Sequence, residues 1–259
     1  MIVIINSAKT QHYTPPADLP PGLPCSQPIF LEAAEKLADH CRAYTRQEIK
    51  TVMKISDKLV DSTIQRFQDF TGPHLRGSAS PALATFAGDV FSQIPWKNYS
   101  TDDFRFADRH LRILSGLYGM LRPLDLMMPY RLEMGYKIAP GENSSLYAYW
   151  AEALTRQLSM DLRTTGSTVL LNLASKEYSQ TVLPGELTGT IVTVTFKQRK
   201  DGKIKNIAVY SKRARGMFVD WFIEQRVEQL DQVRTFDRSG YQYMDEMSSE
   251  TELVFLTEL

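Results

Sequence analysis

Cysteine is nearly absent from this chain. Cys25 and Cys41 are the only two, they are not closely spaced, and no histidine stands at metal-ligand spacing from either. That pattern excludes a zinc-finger-type site and leaves two reduced, structural thiols. Histidine is sparse as well. His12, His40, His74 and His110 are scattered and form neither His-x-x-x-His nor His-x-x-Glu-His. The chain also lacks Gly-x-Ser-x-Gly, a P-loop, and a dinucleotide fingerprint after any strand. No catalytic set, metal or cofactor is therefore assigned. Long apolar runs are missing too: none approaches the roughly 20 residues that cross a bilayer. Met1-Ile-Val-Ile-Ile5 is too short for a signal-peptide core and leads straight into polar residues. A cytoplasmic protein without membrane contact is expected, and a monomer.

Net charge is the last absence: 30 Lys and Arg balance 30 Asp and Glu. A uniformly basic coat is excluded, but the charge is unevenly spread. Lys197, Arg199, Lys200, Lys203, Lys205, Lys212, Arg213 and Arg215 face Asp201 alone, whereas the tail after Phe236 is acidic. A neutral total can hide a positive face.

What is present suffices for a large core, with 259 residues of which 43% are hydrophobic. Ile2–Ile5 reads as a buried strand. Residues 13–28 are Pro-rich and read as a surface loop. Helices are predicted over 28–44, from the Thr45/Glu48 capping box, from Ser56 or Asp57 to about Phe70, from Ser80-Pro81, from Thr101, and over 144–165 before Gly166. Thr168–Leu173 and Thr190–Gln198 read as strands. Asp201-Gly202 signals a hairpin to a partner strand over 204–210. A helix then runs from Ser211 through Val227, and two short strands, 240–244 and 252–256, close the chain. This is an α+β pattern: a single compact domain, residues 1–259, with a mixed β-sheet surrounded by helices.

His110–Asp125 carries the sharpest local signal. Leu111, Leu114, Leu117 and Leu121 recur at helical spacing, Gly116 and Gly119 bracket Leu117-Tyr118, and Arg122-Pro123 suits a new first turn. The expected element is helix, hairpin, helix, its backbone amides offered to a phosphate and flanked by Arg112 and Arg122. A packing turn between two core helices is the alternative.

Four boundaries share small hydroxyls and cations: Ser7-Ala8-Lys9-Thr10, Ser56-Asp57-Lys58, Ser175-Lys176-Glu177-Tyr178 and Ser211-Lys212-Arg213-Ala214-Arg215-Gly216. These are phosphate-contacting groups. If they converge, they form a positive cleft. If they do not, each only caps its own helix.

The blocks Ser7–Thr10, Met53–Leu59, Phe86–Val90, His110–Asp125, Pro129–Met134, Asn172–Tyr178 and Lys212–Gly216 together resemble the motif set of the bacterial YaaA family of peroxide-stress proteins, in order and over essentially the whole chain. The resemblance implies a compact fold unlike the common superfolds, with a positive cleft and a helix-hairpin-helix element. It also implies binding of DNA, double-stranded or branched, with protection against iron and peroxide damage. Expected DNA-backbone contacts are Lys9, Lys54, Lys58, Arg112, Gly116, Tyr118, Gly119, Arg122, Arg131, Lys176, Lys212, Arg213 and Arg215. The alternative is an enzyme acting on a nucleotide or nucleic acid, drawing on Ser7, Lys9, Asp57, Lys58, Lys176, Glu177 and Tyr178. A pocket holding a buried carboxylate would favour the enzyme, and an open groove the binder. Direct iron binding finds little support in so few histidines and cysteines.

Overall fold

The computed structural model describes residues 1–259, the side chain of Pro16 excepted. An eight-stranded mixed sheet organises the chain. Its strands are β1 (Ile2–Asn6), β2 (Leu111–Ser115), β3 (Gly119–Leu121), β4 (Val169–Asn172), β5 (Thr190–Lys200), β6 (Lys203–Lys205), β7 (Gln242–Tyr243) and β8 (Glu252–Glu258). The spatial order is β7-β8-β5-β4-β1-β2-β3, with β6 paired to β5. β8, β5, β4, β1 and β2 run parallel, whereas β3, β6 and β7 are antiparallel additions. Ile2–Ile5 is buried throughout, because β1 is covered on both faces.

Six main helices surround the sheet: α1 (Leu31–Arg42), α2 (Arg46–Met53), α3 (Asp57–Asp69), α4 (Thr101–His110), α5 (Leu146–Thr164) and α6 (Ala208–Glu224). The predicted capping box forms as written, with Thr45 accepting from the Glu48 amide and Glu48 accepting from the Thr45 amide. An aromatic cluster of Phe196, Phe218, Phe236 and Phe255 fixes α6 against β5 and β8. Gly216 lets α6 approach the Val90 carbonyl so closely that an added Cβ would sit 2.0 Å from its oxygen. The basic first turns of α6 are thereby held over the Gly88–Val90 loop.

Three expectations give way. His110–Asp125 is not a helix-hairpin-helix element. Leu111–Ser115 and Gly119–Leu121 form an antiparallel β-hairpin, with Ile113 opposite Leu121 and Ser115 opposite Gly119. The leucine spacing that suggests a helix belongs to a strand buried on both faces, which periodicity cannot separate from a buried helix. Arg122-Pro123 opens a turn rather than a helix, and the Asp125 carboxylate accepts from the Arg122 amide at 2.8 Å. Ser80-Pro81 pairs with Leu126–Met127 instead of starting a long helix, and one helical turn, Ala82–Thr85, follows. Finally, β6 stops at Lys205 and α6 begins at Ala208, so the hairpin after Asp201-Gly202 is shorter than its sequence suggests.

His74 gives the fold a pH dependence. Its Nδ1 donates to the Thr71 carbonyl at 2.9 Å, so Nε2 accepts from the Tyr118 hydroxyl at 2.8 Å, and that hydroxyl accepts from the Met128 amide. A second proton on Nε2 would abolish this chain, and burial holds the His74 pKa below its ordinary value. The unfolded chain therefore binds the proton more readily. Stability is complete above the unfolded value of about 6.5 and falls as pH drops from there through the lower folded value. Melting curves at pH 7.5 and 5 are expected to show a lower Tm in acid, with a smaller loss in His74→Gln. An equal loss in the variant would place the acid sensitivity elsewhere.

Candidate functional site

Two of the cavities with charged walls sit at opposite ends of the parallel strands. The first, about 520 Å³, lies at the amino ends and includes Arg105, Arg109, Arg112 and Arg122 with Asp108, Asp125 and Asp161. Its arginines are largely committed. The Arg112 side chain is only 6% exposed, and its Nε donates to Asp161 at 2.7 Å. Its Nη1 donates to the Asp108 and Leu111 carbonyls. Arg122 pairs with the buried Asp125 at 3.1 Å. These two cations hold the hairpin to α5 and to its own turn.

The second cavity, about 400 Å³, opens at the carboxyl ends. Its wall includes Ser7 and Lys9 after β1, Ser175, Glu177 and Tyr178 after β4, the Gly88-Asp89 loop, Glu133, and Lys212 and Arg215 of α6. β1 is the strand where the sheet order divides, with β2 on one side and β4 on the other. In open α/β sheets, the crevice at such a switch point is where ligands bind.

Local hydrogen bonds explain why these segments meet. The Asn6 side chain accepts from the Ser175 amide at 3.1 Å, tying the loop after β1 to the loop after β4. Asn172 accepts from the Ala174 amide at 3.0 Å and shapes the turn. Glu177 accepts from the Gly135 amide at 3.0 Å, drawing the Glu133 segment over the opening. Ser7 Oγ donates to the Tyr178 hydroxyl at 3.3 Å within the floor.

Two side chains in this cavity stand in uncomfortable surroundings. Arg215 is half-buried, and its Nε has no hydrogen-bond partner among the described residues. Burial alone lowers its pKa. A buried guanidinium without a counter-charge is costly, and an incoming anion relieves the cost. Glu133 is the reverse case. Its side chain is 14% exposed and its nearest cation, Lys9, is 3.9 Å away. Burial is the largest influence and raises its pKa; Glu177 adds to the rise, and Lys9, Arg131 and Tyr178 oppose it. Perturbed groups facing one cleft mark it as a candidate functional site.

The thirteen expected contacts therefore separate. Lys9, Lys212 and Arg215 line the carboxyl-end cleft. Lys176 and Arg213 are exposed beside its Ser175–Glu177 and Lys212 walls. Arg131 lies two residues before Glu133, half-buried. Arg112 and Arg122 line the other cavity, and Lys54 and Lys58 sit at the α2–α3 corner, lining neither. Gly116, Tyr118 and Gly119 do not form a phosphate cradle. Tyr118 is fully buried. A Cβ on Gly116 would lie 2.2 Å from the Leu132 carbonyl oxygen, and one on Gly119 would lie 2.6 Å from the Trp150 ring. The hairpin tip is the packed support beneath the Leu132–Glu133 wall. Of the residues considered for an enzyme, Ser7, Lys9, Glu177 and Tyr178 converge, whereas Asp57 is paired with Arg46 and Lys50 elsewhere. Sequence reasoning overlooked Glu133 and Asp89 as site residues. Their only signal was membership of short blocks dense in charge.

Fold and cleft together define an α/β protein with a switch-point crevice suited to an anion. The chain belongs to the peroxide stress protein YaaA family, whose model matches residues 1–247. It is similar to a UPF0246 protein of Alteromonas mediterranea, at 43% identity over 99% of this chain and 98% of that one. UPF0246 proteins of Acaryochloris marina and Psychromonas ingrahamii are each 41% identical. They cover 98% of this chain and 99% and 98% of their own. No helix is long and apolar enough to cross a membrane.

Proposed function

We propose that this protein serves the peroxide-stress role of its family by docking a nucleic-acid backbone at the carboxyl-end cleft, largely without regard to sequence. The observation that carries this reading is Arg215, half-buried, unpaired and facing the cleft beside Lys9 and Lys212. A basic face adjoins it. Lys203, Lys205, Lys212 and Arg213 are exposed, interleaved with exposed Ile204, Val209 and Tyr210. Cations fix a backbone through its phosphates and carry no base information, and an exposed aromatic adds a stacking surface. Anisotropy titrations of labelled duplex, junction and single-stranded DNA across a salt series test this. Affinity is expected to fall steeply and linearly in log–log form as salt rises. A salt-independent affinity, or none at low salt, contradicts the proposal.

One observation favours a second reading, an enzyme on a nucleotide or nucleic acid. Glu133, half-buried in the cleft wall with Ser7, Lys9 and Tyr178, is the carboxylate that bears on the two hypotheses. A carboxyl raised toward neutrality is suited to general acid–base work. Incubation with DNA and nucleotides, with and without divalent metals, distinguishes them: product that disappears in Glu133→Gln supports the enzyme, and no product supports the binder.

A further inference from the structure

We propose that the floor of the carboxyl-end cleft is a seat for a phosphomonoester, the terminal phosphate of a strand or of a mononucleotide, held between Arg215 and Glu133. This deepens the reading of the cleft as a phosphate site and rests on it.

Size is the first argument. A cavity of about 400 Å³ is at the small-ligand scale, about that of one nucleotide. An internal diester requires the chain to enter and leave, and it presents one negative charge. A terminal phosphate needs a single entrance. Here the Gly88–Val90 loop, the Glu133 segment and α6 enclose the space from three sides.

Charge is the second argument. Lys9, Lys212 and Arg215 stand against Asp89, Glu133 and Glu177 in the wall. Asp89 is partly matched by Lys212 at 3.7 Å, and Glu177 is engaged by the Gly135 amide. Arg215 is the cation with no such partner. Its planar fork suits two oxygens of one phosphate.

Glu133 is the third. As a carboxylate it would repel a phosphate; as a carboxylic acid it donates a hydrogen bond to one. Burial and Glu177 both favour the protonated form. The groups facing it are Lys9, Arg131, Glu177, Tyr178 and Tyr136. Of these, the two tyrosines are pushed further up by burial and stay neutral near pH 7. A proton on Glu133 therefore couples to binding, alongside the second ionisation of the phosphate itself at about 6.

The test measures binding of the intact protein to two oligonucleotides differing only in a 5′-phosphate, and separately to adenosine monophosphate and adenosine. The phosphorylated member of each pair is expected to bind about tenfold or more tightly. Arg215→Gln should erase that preference and Arg215→Lys should restore part of it. Glu133→Gln should retain it and flatten the loss of affinity at alkaline pH. Wild-type protein alone decides the main point, so misfolding of a variant does not obscure it. A preference for the oligonucleotide pair identifies a strand end; one for the mononucleotide pair alone identifies a free nucleotide. Equal binding within both pairs overturns the proposal. If salt-dependent duplex binding persists in that case, the backbone-docking reading survives without it.

Discussion

Gly116→Ala is expected to destabilise the protein by about 3 kcal/mol or more. The new methyl group would meet the Leu132 carbonyl at 2.2 Å, and backbone cannot yield as a flexible side chain can. Gly119→Ala faces a double penalty: φ of +66° and the Trp150 ring at 2.6 Å. Trp150 has no room to retreat, because its indole nitrogen donates to the Gly116 carbonyl at 3.0 Å. Urea titrations should show both midpoints shifted down, with Tm lower by roughly 6–12 °C at this chain length. Variants that stay as stable as wild type while losing nucleic-acid affinity would return the glycines to a binding role.

The second large effect is on binding. Replacing Lys212, Arg213 and Arg215 together with glutamine removes the cationic edge of α6. If each neutralises one phosphate, the log–log salt slope should shrink by about 2.7 and affinity at low salt should fall by tenfold or more. Stability should not fall with it. Lys212 and Arg213 are exposed, and Arg215 contributes a half-buried charge without a partner, so its removal relieves strain on the fold. An unchanged slope in a folded triple variant would remove α6 from the interface.

These two effects show where the sequence was readable. The helix capped by Thr45 lies where its residues put it, and the helix expected from a Thr101 cap begins at Thr101 with Ser100 as its cap instead. So do β1, β4 and β5, whose β-branched and aliphatic runs leave little choice. His110–Asp125 is not legible as a β-hairpin, because every position of Leu111–Ser115 is buried and full burial erases the difference between periods of two and 3.6. The cations of the cleft were found because Lys and Arg at element boundaries are visible in a linear string. Their partition was not, because what separates Arg112 from Arg215 is the partner reached in the fold: Asp161 accepts from the Nε of the one, and the Nε of the other has no hydrogen-bond partner. Glu133 was hidden for the same reason. It lies two residues from Arg131 in sequence, yet the cation set against its carboxyl group is Lys9 at 3.9 Å, reached from the end of β1.

The central claim is that ligand engages the carboxyl-end cleft and not the guanidinium-rich cavity at the other end of the sheet. Amide hydrogen exchange with and without saturating 5′-phosphorylated DNA tests it most directly. Protection is predicted at residues 6–10, 86–90, 131–135, 174–180 and 208–216, with residues 105–112 and 122–125 unchanged. Protection confined to the latter two segments would contradict the account.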